Sequence, residues 1–154
     1  MGVESTMSFQ EKKNIVSLIS TFLIFGSYWL YVFQKHPFGS LDQENTLSFW
    51  GSFILILIPV TIAAKIIISI VFTVINRIAT NEQEPSFSDE LDKLIELKAT
   101  RNSHYVFLLG FVLSMVTLVM DMPANTMFII LICSGFVSEV IGYISQLYFY
   151  RKGV

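Results

Sequence analysis

The sequence predicts an all-α integral membrane protein: a four-helix bundle with both termini on the cytoplasmic side (N-in/C-in) and the third helix extended into the cytoplasm. Three observations carry that expectation. The 154-residue chain is 53% hydrophobic and only 14% charged, against roughly 25% charged residues in soluble domains. Its apolar residues fall in four long blocks, and a membrane-crossing helix takes about 20 such residues. Its Lys and Arg residues gather on alternate connections, the pattern of the positive-inside rule. The length suits one membrane domain over residues 1–154.

The first block runs from Asn14 to Phe33. The residues after it, "YVFQKHPFG", are bulky where a signal peptidase site would be small, so this block reads as a retained helix. Ahead of it, "MGVEST" fits a myristoylation pattern through Gly2 and Thr6, with a polar tail as the plainer reading. The second block, Ser48 to Asn76, exceeds what a span needs, so it should tilt, kink or project. Pro59 inside it removes a backbone donor and crowds the preceding turn, which predicts a kink there. The third block, Ser103 to Met120, and the fourth, Thr126 to Tyr150, are joined only by "DMPAN". So short a turn makes them antiparallel neighbours. Lipid offers no partners to bare backbone groups, so spans are helices or closed barrels. Blocks this long, without alternating polarity, exclude barrel strands.

Orientation follows from the basic residues. Lys12, Lys13, Arg77, Lys93, Lys98, Arg101, Arg151 and Lys152 fall on one side. The other side has Lys35 alone, beside Asp42, Glu44 and Asp121. The bias predicts a multi-pass protein of the cell (plasma or inner) membrane with both termini and the middle loop in the cytoplasm. Trp29, Tyr31, Trp50, Tyr105, Tyr148 and Tyr150, near block ends, are expected at the two membrane–water interfaces.

Two ionisable residues lie deep inside blocks, Lys65 and Glu139. Each stands twelve residues before an arginine, Arg77 or Arg151, on helices that run in the same direction. With the arginines as boundary markers, both charges lie about 18 Å from the cytoplasmic surface, near the bilayer centre. A lone charge there costs on the order of 3 kcal/mol. Mutual neutralisation is the cheapest remedy, so Lys65 is expected to face Glu139; a protonated, neutral Glu139 is the other remedy. Such a pair is either an ion- or proton-linked polar site or a device that fixes helix packing. On the fourth block Ser134, Ser138 and Gly142 recur at spacing four, with Gly135 and Ser145 beside them. Small residues on one stripe let helices approach closely, here within the bundle or across a homo-oligomer interface, with the internal contact favoured.

The stretch "SDELDKLIELKATRNSHY" leads into the third block without a Pro or Gly. Ser86 or Ser88 can cap a helix, and Asp89 and Glu90 suit its positive end. Leu91, Leu94, Ile95 and Lys98 form one helical stripe. One helix should therefore run from cytoplasm to membrane over about residues 88–102, with Lys98 and Arg101 near lipid phosphates. It is either a solvated extension or a docking surface, through Asp89, Glu90, Asp92, Lys98 and Arg101, for a cytosolic partner.

Other chemistries find no support. Cys133 is the one cysteine, so neither an internal disulfide nor a CxxC pair exists. A net charge of −2 with no basic patch gives no nucleic-acid partner. His36 and His104 sit near block ends, so no histidine pair can ligate a haem, and no metal motif occurs. No nucleophile–base arrangement and no Gly-rich phosphate loop is present. Neither an enzyme nor a cofactor is expected.

"DELDKLIELKATRNSHY" resembles the D-E-R-D-x-x-I-x-x-K-A-x-R signature of a family of small, four-span prokaryotic membrane proteins without an assigned activity. Asp89, Glu90, Asp92, Ile95, Lys98, Ala99 and Arg101 match, and Leu91 stands where that signature has Arg. The motif covers about a tenth of the chain, and the four-span layout agrees throughout. The resemblance implies a regulatory partnership, since genes of such proteins often neighbour small helix-turn-helix regulators. The expected function is thus a non-enzymatic binding or regulatory membrane protein that contacts lipid and a cytosolic regulator. The alternative is a small transporter or channel subunit using Lys65 and Glu139.

Overall fold

The computed structural model describes residues 7–35, 43–80 and 90–152. Gly2, Thr6, His36, Asp42, Ser86, Ser88 and Asp89, which figure in the expectations above, lie outside the described residues, as does the side chain of Glu44. The chain forms four helices: α1 (Phe9–Lys35), α2 (Gln43–Thr80), α3 (Glu90–Val119) and α4 (Ala124–Lys152). All four are long and apolar enough to cross a membrane. This is an all-α, multi-pass membrane protein.

Each helix outruns its apolar block because polar flanks continue it. α1 begins on a reciprocal cap in "SFQE": Glu11 accepts from the Ser8 amide at 2.8 Å, and Ser8 accepts from the Glu11 amide at 3.2 Å. α2 is helical on both sides of Pro59, as membrane helices tolerate when nearby groups take up the freed backbone positions. α3 is continuous from Glu90 into its apolar half, about 45 Å in all. It ends in a left-handed cap. The Met122 amide reaches back to the Thr117 carbonyl and the Asp121 amide to that of Leu118, with Asp121 at φ 54°. Asp tolerates that conformation, and Pro123 prevents continuation.

Paired contacts fix the directions. Phe9 meets Phe72 and Tyr28 meets Phe53, so α1 and α2 are antiparallel. Glu11 meets Arg151 and Phe25 stacks on Phe136, so α1 and α4 are antiparallel. Asp92 meets Tyr150 and Ser103 meets Ser138, so α3 and α4 are antiparallel as well. The start of α1, the end of α2, the start of α3 and the end of α4 therefore share one end. The eight basic residues that set the orientation argument all belong to it. This is the basic end; the α3–α4 turn marks the other, the turn end.

The bundle is open. α3 packs on α4, α4 on α1 and α1 on α2, while α2 only grazes α4 and α3 approaches neither α1 nor α2. The side chains explain this. α4 offers its small residues to α3, and backbones close up only across small residues. The middle of α2 is rich in Ile, Leu and Val and contributes no buried residue to the structure. That surface is left to lipid.

At the turn end, Trp50, Phe53 and Ile132 are the buried centre of an aromatic cluster that includes Phe25, Tyr28, Trp29, Phe33 and Phe128. Trp50 stacks on Phe128 at 5.7 Å between centroids and donates from Nε1 to Asn125 Oδ1 at 2.7 Å. This corrects the expectation that Trp50 is an interface aromatic: it is 1% exposed. An indole near a block end satisfies either role, and Asn125 gives its N–H a partner inside the protein.

Candidate functional site

Three helices build the polar centre. α2 carries Lys65, α4 carries Glu139 and Tyr143, and α1 carries Thr21. The Lys65 ammonium is in direct contact with Glu139 Oε1. Thr21 donates to the same oxygen at 3.3 Å. Lys65 Nζ also lies 5.8 Å from the centroid of the Tyr143 ring, a cation–π distance. The Tyr143 hydroxyl stands beside those of Ser17 and Thr21. α1 and α4 thus each bring two polar side chains one turn apart to a common point, where α2 brings Lys65. On α1 the inner face reads Asn14, Ser17, Thr21 towards the basic end, then Phe25 and Tyr28 towards the turn end.

The register along α2 and α4 is matched. Trp50 meets Asn125, and fifteen and fourteen residues later respectively Lys65 meets Glu139. Two parallel helices staying in step over about 21 Å bring the two charges level.

The α3–α4 seam sets the level of the pair along the bundle. Ser138 pairs with Ser103 through Oγ–Oγ at 2.8 Å and donates to the Ser103 carbonyl at 2.9 Å. Glu139 is therefore level with the first residues of the third apolar block, close to Arg101 and away from its middle. From Thr126 to Glu139 is about 20 Å along the helix. The pair lies towards the basic end. α4 ends one residue past Arg151, which reaches Glu11 near the start of α1 at 3.5 Å.

Next to the pair lies a cavity of about 460 Å³ between α1, α2 and α4. Its walls are apolar, with Phe25, Phe107 and Phe136 among them, and its polar groups are Thr21, Thr61 and Glu139. Ile58, Ile62 and Phe107 on its rim are exposed, so it opens sideways where α2 and α3 part. The Lys65 and Glu139 side chains keep 30% and 29% of their surface exposed, so the pair is not sealed off.

The other predicted residues separate by role. Ser134 and Ser138 are buried against α3. A methyl group on Gly110 would overlap the Ser134 side chain, and one on Gly142 would come to 3.6 Å from Ser103. The small stripe of α4 is thus an internal seam. Its α3 partners, Ala99, Ser103, Gly110, Ser114 and Thr117, were not anticipated, although they too are small and helically spaced.

Of the residues expected to contact a partner, Asp92 accepts a hydrogen bond from Tyr150 at 2.9 Å, and Lys98 sits 5.8 Å from the Phe149 ring centroid. Both are engaged with α4, and Ile95 and Ala99 are buried on that side. Glu90 and Arg101 are exposed. The extension is therefore half of a two-helix hairpin, since α4 continues as far as α3 does. Among the described residues, no three His, Cys, Asp or Glu side chains converge on a metal site.

No protein-family model, no curated protein and no solved structure matches this chain.

Proposed function

We propose that this multi-pass membrane protein acts by binding, without catalysis, and that its site is the Lys65–Glu139 pair with the adjoining cavity. The observation that carries the reading is that Glu139 is at once the anion of an intramembrane ion pair and a wall of the 460 Å³ cavity. A charge pair needed only for packing requires no such space. Cavities of roughly 300–1,000 Å³ with apolar walls and a few convergent polar groups are the usual form of small-molecule sites. The lateral opening suits a ligand that arrives from lipid. By the positive-inside argument the basic end faces the cytoplasm, which gives N-in/C-in chains in the cell membrane.

The test is thermal unfolding in nanodiscs, followed by tryptophan fluorescence, with cationic, anionic, zwitterionic and neutral amphiphiles added in turn. At least one raises the unfolding midpoint of the native protein and leaves that of Gly135→Leu unchanged, because binding to the folded state stabilises it. Gly135 lines the cavity and has open space where a side chain would begin, so Leu fills the site without a backbone clash. A midpoint indifferent to every amphiphile contradicts the reading.

The inner face of α1 favours a second reading, transport. Asn14, Ser17 and Thr21 form a polar file from the basic end to Glu139. Reconstituted liposomes then show a flux that Glu139→Gln abolishes; a tight binder with no flux excludes transport.

A further inference from the structure

The ligand's charge can be read from the cavity wall. Three polar groups face the space, and each offers an acceptor. The Thr21 hydroxyl spends its proton on Glu139. The Thr61 hydroxyl spends its own on the Leu57 carbonyl at 2.7 Å. Glu139 turns its carboxyl oxygens to the Lys65 ammonium and the Thr21 hydroxyl and offers them as acceptors. Among the described residues, the cation beside it is Lys65, which stands behind that carboxylate near Tyr143 and forms no part of the wall. Phe25, Phe107 and Phe136 add aromatic rings to the wall, Phe25 and Phe136 stacked on each other at 4.4 Å, and aromatic rings attract positive charge through their quadrupoles. Acceptors whose own protons are spent elsewhere, with aromatic rings around them, repel an anion and welcome a cation.

We infer that the cavity binds a lipophilic cation, an amphiphile with an amine or ammonium group, whose positive charge competes with Lys65 for Glu139. The inference rests on the binding reading above and goes beyond it by fixing the sign of the ligand. It also gives Lys65 a role: the resident cation that pairs with Glu139 while the cavity is empty, and turns towards the Tyr143 ring when a ligand takes its place.

The competition predicts opposite effects from the two partners. Removing the anion loses binding; removing the resident cation tightens it. A pair that serves only packing gives no such opposition.

The experiment uses two ions of one shape, tetraphenylphosphonium and tetraphenylborate. Protein-dependent binding to nanodiscs is measured by equilibrium dialysis against empty nanodiscs. The native protein prefers the phosphonium. Glu139→Gln weakens it by about tenfold or more, as expected when one member of a desolvated charge pair is removed. Lys65→Met tightens it severalfold, and Gly135→Leu abolishes it. The Lys65→Met result decides the matter even where Glu139→Gln does not assemble. Equal or stronger binding of the borate, sensitive to Gly135→Leu, overturns the cation assignment and leaves the site standing. So does phosphonium binding that neither Glu139→Gln nor Lys65→Met alters. If neither ion binds in a manner sensitive to Gly135→Leu, this inference falls, and the amphiphile panel above decides whether the site falls with it.

Discussion

At the turn end, α1, α2 and α4 meet through rings: Phe33 and Trp50, Tyr28 and Phe53, Trp50 and Phe128. Some 21 Å further on, the same three helices meet through Thr21, Lys65, Glu139 and Tyr143. The first contact holds by shape, because lipid tails give no hydrophobic drive to helix association and close packing must supply it. The second holds by charge, because an unpaired ion among apolar helices is costly. Damage at the turn end should therefore follow the volume removed, and damage at the basic end should follow the charge left over. The arrangement also divides labour: the rings fix the helices, so that the cavity between the two contacts stays open beside Glu139.

Trp50→Ala should have the largest effect. It empties the best-buried large side chain and strips Asn125 of its partner, a loss of about 3–5 kcal/mol read as a lower unfolding midpoint in nanodiscs. Trp50→Phe, which keeps most of the ring, should recover most of it. Equal loss from both would show that the indole hydrogen bond outweighs volume and would break the contrast.

Gly110→Val should come next, at about 1–3 kcal/mol. It forces apart the α3–α4 seam, which belongs to neither contact. The seam should fail alone: crosslinking between Cys pairs placed on α3 and α4 falls, and crosslinking between α1 and α2 persists. Asp121→Val should cost about 1–2 kcal/mol, since a branched side chain resists the left-handed turn at φ 54°; Asp121→Gly should cost nothing in the same unfolding assay. Tyr150→Phe should be smallest, at about 1 kcal/mol. It releases Asp92, and hydrogen exchange should speed up only in the first turns of α3.

Composition alone exposes the helices of this molecule, because a bilayer leaves the backbone few alternatives. The Lys65–Glu139 contact is legible for a similar reason: two charges at matched positions in apolar blocks have few partners. What faces what is less legible. Trp50 reads the same at an interface or in a core, and only Asn125 across the gap decides. Thr21 and Tyr143 look like ordinary span residues until three helices converge. Two signals were present and passed over: the "SFQE" cap of α1, and the Ser103, Gly110, Ser114, Thr117 series that mates with the stripe of α4.

The account turns on the claim that Lys65 and Glu139 act on each other, and a double-mutant cycle measures that coupling. Glu139→Gln and Lys65→Met should each lower the unfolding midpoint in nanodiscs, by about 3 kcal/mol, because each strands the other's charge. The double variant strands neither, and it should recover most of the loss. A double variant no more stable than the worse single variant would contradict the claim.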